Sequence, residues 1–303
     1  MGSRVICFGA AHVDFRAQSL APLIEGSSNP VKTSRARGGV AGNVAGWLAT
    51  LGHEVFMVTR VGADADGTFV LDELTRLGVR CDAVMRDPDY PTATYTAAIE
   101  PSGELRLGLA DMSIHDDFTP EQIDQALKVT GTADLWFLDA NLPETAIRHL
   151  ATRAPISAIL SADTVSVTKA PRIRAACPRL DLLITNEDEA TTLLACDTAA
   201  AQLGAVEVLG VGRTIIGHAA RGVTLLDHGS RSDFTPLPCN VVDVTGGGDA
   251  LAAGLLHGIL EGVPMADAVR LGLAAAAFAV ESETPHPVGV DAADLLARAS
   301  IQR

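Results

Sequence analysis

Aromatic residues are nearly missing from this chain, at 4% of 303 residues, so Ala, Val, Leu and Ile must fill the core. Small side chains leave layers no bulk to hold them apart, and a close-packed interior then draws its elements together. An excess of basic residues is missing too: 23 Lys and Arg face 37 Asp and Glu, for a formal charge of -14. That balance excludes the broad basic footprint required by nucleic acid or an anionic membrane surface. It does not exclude an anionic substrate, which a few local donors can hold. The five cysteines (Cys7, Cys81, Cys177, Cys196 and Cys239) are odd in number and follow no metal-ligand spacing, so reduced thiols are expected rather than a disulfide framework. The longest apolar run, Leu271 to Val280, is too short to span a bilayer. The opening "RVICFGAAHVD" has no charged-then-apolar leader pattern, and a cytoplasmic protein is expected.

What is present is ample apolar material, 48% of residues against 20% charged, enough for one large core over 1–303. Short apolar runs alternate with helical patterns. The runs 5–10, 55–62, 135–140, 156–160, 182–185, 206–210, 214–219 and 223–228 are expected as strands, and their continuous apolarity predicts cover on both faces. Helices are expected over 40–51, 67–77, 120–129, 143–153, 187–195, 247–261 and 265–280, the third capped by Thr119 with Pro120 in its first turn. The alternation predicts an α/β fold with a mostly parallel central sheet flanked by helices. Two segments break it: the polar stretch 15–39, and 93–112, which has the period-two pattern of a hairpin around "PSG". A small β-sheet lid from about 14–40 and 93–115 is the expectation. Its uncovered face makes a homodimer through the lid a candidate arrangement.

The stretch "DVTGGGDAL", Asp243 to Leu251, sets three glycines and a carboxylate at the start of a helix. One reading is a glycine-rich turn with an acidic residue favoured by the helix dipole. The other is catalytic. The amides of Gly246, Gly247 and Gly248 would form an anion hole for a transferring phosphoryl group, and Asp249 would take the proton of the attacking hydroxyl. A second cluster, "ARGGVAGNVAGWLATLG", places Gly38 and Gly39 ahead of another helix, with Asn43 one turn inside.

These clusters, with Asp14 after the first strand, "NEDE" at Asn186 to Glu189 and the D-x-x-G-x-G-D pattern from Asp243 to Asp249, resemble the ribokinase-like (PfkB) sugar and nucleoside kinases, in the same order along nearly the whole chain. The resemblance implies a ribokinase-like fold and an ATP-dependent phosphotransferase. It implies acceptor binding by Asp14, Gly38, Gly39 and Asn43, with Asp249 as base. Asn186 and Glu189 would act near the nucleotide phosphates, Glu189 through Mg²⁺ and its waters, while Asn186 also suits a helix N-cap. The family often has a monovalent-cation site near the residue matching Asp243, which makes K⁺ a candidate there. Lys169 is a candidate for neutralising phosphate charge, or a solvent-facing lysine. Asn141, at a strand's carboxyl end, is a candidate acceptor ligand, or an Asx-turn residue.

Within the family the stretches 26–52, 94–112, 139–144, 162–174 and 241–254 are most similar to pseudouridine kinases, which implies phosphorylation of a C-nucleoside 5′-hydroxyl. A kinase for another sugar or nucleoside, such as ribose or adenosine, and a weakened nucleoside-binding homologue are the alternatives. Two positions depart from the pattern. The basic residue usual between the glycine pair and the Asn is Gly42. Where many relatives read T-L-G-x-x-G near the nucleotide, this chain has "GHAARG", Gly217 to Gly222, in which only Gly222 matches. A lost hydroxyl contact costs about 0.5–1.5 kcal/mol, and Ala219 adds strain wherever a positive φ is required.

Overall fold

A computed structural model describes residues 2–196, 199–284, 286 and 289–301. The N-terminal part runs β1 (Arg4–Phe8), β2 (His12–Ser19), β3 (Val31–Gly38), α1 (Val40–Thr50), β4 (Glu54–Val58), β5 (Arg60–Gly62), α2 (Ala65–Arg76), β6 (Met85–Asp87), β7 (Thr94–Ile99), β8 (Leu105–Asp111), α3 (Ser113–Asp116) and α4 (Pro120–Thr130). Then follow β9 (Leu135–Asp139), α5 (Glu144–Arg153), β10 (Ile159–Asp163), a 3-10 helix (Ala170–Arg179), β11 (Leu182–Asn186), α6 (Glu187–Leu194) and α7 (Ala199–Leu209). The chain continues through β12 (Arg213–Gly217), β13 (Val223–Asp227), β14 (Ser230–Phe234), α8 (Gly247–Leu260), α9 (Met265–Val280) and α10 (Ala292–Arg298).

Eight strands form the main sheet in the order β14-β13-β12-β11-β10-β9-β1-β4. From β4 to β12 every pairing is parallel, and the β13–β14 hairpin closes the far edge antiparallel. Successive side chains of one strand point to opposite faces, and the core divides accordingly. Val5 and Cys7 of β1 join α1, α8 and α9 on one side, whereas Ile6 and Phe8 join α4, α5 and the 3-10 helix on the other. This double cover is why the strands appear in the sequence as unbroken apolar runs.

The polar stretch 15–39 contains two strands. β2 and β3 pair antiparallel, and β2 pairs parallel with β7, which forms a hairpin with β8. The four make a separate small sheet in the order β3-β2-β7-β8. On its edge, Leu105, Leu107 and Leu109 of β8 are 52%, 52% and 58% exposed.

One expected strand is a helix. Residues 206–210 were expected to be extended from "VEVLG", but they form the last turns of α7 and its end at Gly210, whose φ is +74°. The alanines upstream carry helix propensity into the two valines, and β11 pairs directly with β12, leaving no place for a strand between them.

Scarcity of aromatic bulk shows most where α8 meets α9. A Cβ on Gly254 would lie 2.6 Å from the Leu271 carbonyl oxygen, and one on Gly272 would lie 2.7 Å from that of Leu251. The two backbones touch, and this contact seats α8 against the sheet with its N-terminus at the strands' carboxyl ends. Gly254→Ala is expected to destabilise the protein by about 2 kcal/mol through overpacking, read as a lower melting temperature; an unchanged melt would mean that the helices part freely.

Candidate active site

Helix α1 starts at Gly39, which has no side chain to cap it. The cap comes instead from β9: Asp139 Oδ2 accepts from the Ala41 amide (2.9 Å) and the Ala10 amide (3.1 Å), and Oδ1 accepts from the Asn141 amide (2.9 Å). Asp139 is fully buried. Burial raises its pKa, and these N–H donors offset part of that cost. One buried carboxylate therefore ties the ends of β1 and β9 to the first turn of α1.

On the small sheet, a Cβ at Gly38 would lie 2.2 Å from Asp14 Oδ2, so glycine is what lets that carboxylate lie against the β3 backbone. His12 Nε2 meets Asp14 Oδ1 at 3.0 Å. From α1, Asn43 Nδ2 donates to Asp249 Oδ2 at 2.6 Å. The sequence-predicted residues Asp14, Gly38, Gly39, Asn43 and Asp249 thus converge where β2, β3, α1 and α8 meet.

Helix α8 follows Gly246, which has φ +78° and leaves the helix without a side-chain cap. An uncapped helix start is an anion site. Gly248 is exposed, and the Gly247 amide makes a long turn bond to the Val244 carbonyl (3.3 Å). Asp249 retains partial exposure. Its pKa is pushed up to about 7, first by burial and also by the Asp139 and Asp14 carboxylates, against the lowering effects of Asn43 and Arg37. Such a carboxylate changes protonation near neutrality, which suits a general base.

Asp249, Gly247 and Gly248 form part of the wall of a cavity of about 730 Å³, a size typical of small-molecule sites. Asn186, Glu189 and Gly222 also line it, as do apolar side chains including Leu237, Leu273 and Val280. Asn186 does cap α6, accepting from the Glu189 amide at 3.0 Å, and its Nδ2 donates to Glu189 Oε1 at 2.7 Å. Glu189 Oε2 accepts from Thr164. Asp163, at the end of β10, also faces the cavity; burial, then the Asp249 and Glu189 carboxylates, raise its pKa well above the usual value.

Asn141 and Lys169 are not on this cavity wall. Lys169 Nζ donates to Asn141 Oδ1 at 2.6 Å, and Asn141 is buried. Four residues that sequence reasoning did not single out help to build the site. Asp139 and Asp163 end apolar strands at their carboxyl ends, which is the usable signal in an α/β sheet. Arg16, on β2, is ion-paired with Asp243, and Arg37 contacts Asn43; no sequence spacing announces either.

The "GHAARG" stretch is a tight turn between β12 and β13. Ala219 and Ala220 form part of the cavity wall. Ala219 has φ +51°, the left-handed conformation that favours glycine. The His218 amide donates to the Gly222 carbonyl at 2.8 Å, closing the turn. The turn survives the sequence change at the cost of strain at one residue.

Another cluster of potential ligands, His53, His257 and Glu261, lies at the opposite end of α8. Ser3 N–H donates to His53 Nδ1 (3.2 Å), which places the ring proton on Nε2, facing His257 Nδ1 at 2.9 Å. The His53 lone pair is therefore spent, and the arrangement is a hydrogen bond rather than a metal site.

The pfkB family of carbohydrate kinases matches residues 3–288. The chain belongs to that family. It is thereby an ATP-dependent phosphotransferase of the ribokinase fold. It is similar to the pseudouridine kinase of Escherichia coli K12, with 29% identity over 289 residues, covering 92% of this chain and 91% of the relative. The pseudouridine kinase of Arabidopsis thaliana is 26% identical over 349 residues, covering 93% and 92%. Among solved structures, a carbohydrate kinase from Agrobacterium tumefaciens superimposes with a TM-score of 0.87 at 30% identity, covering 99% and 97%. Among the described residues of this PfkB kinase, no helix is long and apolar enough to cross a membrane.

Strain at Ala219 gives a direct check on the turn. Ala219→Gly is expected to stabilise the kinase by about 1 kcal/mol, the left-handed penalty outweighing the entropy of the freed chain. A lower melting temperature would show that the conformation is not strained.

Proposed function

We propose that this kinase transfers the terminal phosphoryl group of ATP to the 5′-hydroxyl of a nucleoside, and that its substrate is pseudouridine. The observation that carries the phosphoryl-transfer reading is Asp249 itself. It is a partly exposed carboxylate on the first turn of an uncapped helix, held by Asn43 at 2.6 Å and titrating near neutrality. In this reading the acceptor hydroxyl gives its proton to Asp249, its oxygen bonds to the γ-phosphorus, and the bond to the β-phosphate oxygen breaks to release ADP. The N–H groups at the start of α8 stabilise charge on the group in transit. Asp14, the Gly38–Gly39 backbone and Asn43 grip the acceptor. Two curated relatives named pseudouridine kinase, each aligned over more than nine-tenths of this chain, support the choice of nucleoside.

Asp163, Glu189 and Asp249 crowd negative charge onto one cavity wall, and the raised Asp163 pKa is its signature. All the donors are hard oxygens, which fits Mg²⁺. Glu189 and Asn186 would hold Mg²⁺ through its waters, because both Glu189 oxygens already have protein partners. When bound, the ion supplies charge neutralisation to the phosphates. Asp243 is engaged by Arg16 and by the Thr245 amide at 2.9 Å, so a K⁺ ion there would share the carboxylate with a guanidinium. The small sheet acts as the lid, and its exposed β8 leucines are the surface through which two copies would pair.

Purified protein with MgATP should consume ATP with a clear preference for pseudouridine over uridine, adenosine, ribose and fructose. Preference for another acceptor would keep the reaction and overturn the substrate. Asp249→Asn should lose turnover by about a thousandfold or more, since an amide cannot take the proton, with nucleoside affinity little changed; retained turnover would remove Asp249 as base. For the free enzyme, the base works only when deprotonated. kcat/KM should therefore rise with pH up to about 7 and level off above it, and a profile flat from pH 5.5 upward would contradict the assignment.

A further inference from the structure

Arg37, the penultimate residue of β3, is only 7% exposed. Long cations are seldom so buried without a task. Its Nη1 donates to Asn43 Oδ1 at 2.9 Å, and its Nη2 meets His286 Nδ1 at 3.2 Å. A side-chain amide has one accepting and one donating end. A guanidinium only donates, so it can bind only the accepting end of Asn43. The donating end then has to face Asp249, where it makes the 2.6 Å bond. The ionised Asp249 carboxylate, which only accepts, favours the same flip, so Arg37 fixes the amide from its other end.

Gly42 supplies the room. A Cβ there would lie 3.0 Å from Arg37 Nη1, so a side chain at 42 and the Arg37 guanidinium compete for one space. Arg37 also sets the local charge. Burial lowers its pKa to about 10, with Arg76 acting in the same direction, while Asp249, Glu73 and Asp14 support the charged form. Arg37 therefore remains a cation at neutral pH. His286 beside it is kept neutral, by burial first and then by Arg37 itself. Among the described residues, the charged groups with the largest effects on Asp249 are Asp139 of β9, Arg37 of β3 and Asp14 of β2, and Asp249 in turn acts on Asp163 of β10.

We propose that Arg37 is a positioning residue for phosphoryl transfer, holding the donor end of Asn43 on Asp249 and supplying the buried positive charge opposite that carboxylate. This rests on the reading of Asp249 as the base.

The test is the pH profile of kcat/KM for the wild type, Arg37→Gln and Arg37→Lys. Loss of the cation in Arg37→Gln should move the acidic limb up by about one pH unit and lower kcat/KM at pH 7 about fivefold, with ATP affinity unchanged. Arg37→Lys should leave the limb in place, but kcat should fall several-fold, because one ammonium cannot hold both Asn43 and His286. A folded Arg37→Gln with an unmoved limb overturns the proposal. Should Arg37→Gln not fold, Arg37→Lys decides, and an unchanged kcat overturns it. If Asp249→Asn keeps its turnover, the base reading falls and this inference falls with it. If Asp249→Asn is dead while the limb of Arg37→Gln stays put, only this inference falls.

Discussion

The hydrogen bond from Asn43 to Asp249 joins the first turns of two helices that lie more than 200 residues apart in the chain, and the sheet and the α8–α9 contact hold those two turns together. Both helices start at glycines that lack side-chain caps. An uncapped helix start is unstable when buried dry and useful when it faces an anion. Here α1 obtains its cap from Asp139 on a central strand, while α8 keeps its own start open. That asymmetry leaves the α8 start as the one of the two with N–H groups to offer, which is where the proposed chemistry is placed.

Keeping several carboxylates out of water is costly, and each is offset differently. Asp139 is satisfied by backbone amides, Asp243 by Arg16 and the Thr245 amide, and Asp249 by Asn43 and the nearby cation Arg37. Asp163 has one amide, that of Val165 at 2.8 Å, and three carboxylates, Asp249, Glu189 and Asp139, raising its pKa. Negative charge thus remains least compensated on the wall where Mg²⁺ and nucleotide phosphates are proposed to bind. The small-residue core serves the same end. Because α8 and α9 touch backbone to backbone at Gly254 and Gly272, the helix carrying Asp249 has little freedom to shift.

Much of this was legible in the chain. Continuous apolar runs marked the doubly covered strands, and Thr119 with Pro120 marked the start of α4, where the structure shows a full capping box with Gln122. The glycine clusters marked both helix starts. Three things were not legible, for physical reasons. Residues 206–210 have a strand-like composition, but the helix running into them and the β11–β12 pairing decided their state. Lys169 and Asn141 were read separately as candidate ligands, and only the fold shows that they bind each other. Arg37 precedes the glycine pair as an ordinary polar residue of a polar stretch. Its role depends on β3 pairing with β2 and on the space left at Gly42, neither of which has a local sequence signal.

The central claim is that Asp249 directs one hydroxyl of a nucleoside, the 5′-hydroxyl, onto the terminal phosphate of ATP. The most direct test is ³¹P NMR of the products formed by the enzyme with MgATP and pseudouridine. The account predicts a single new phosphomonoester, coupled to the 5′-methylene protons, appearing in step with ADP. A phosphate on a ring hydroxyl, or inorganic phosphate alone, would contradict it.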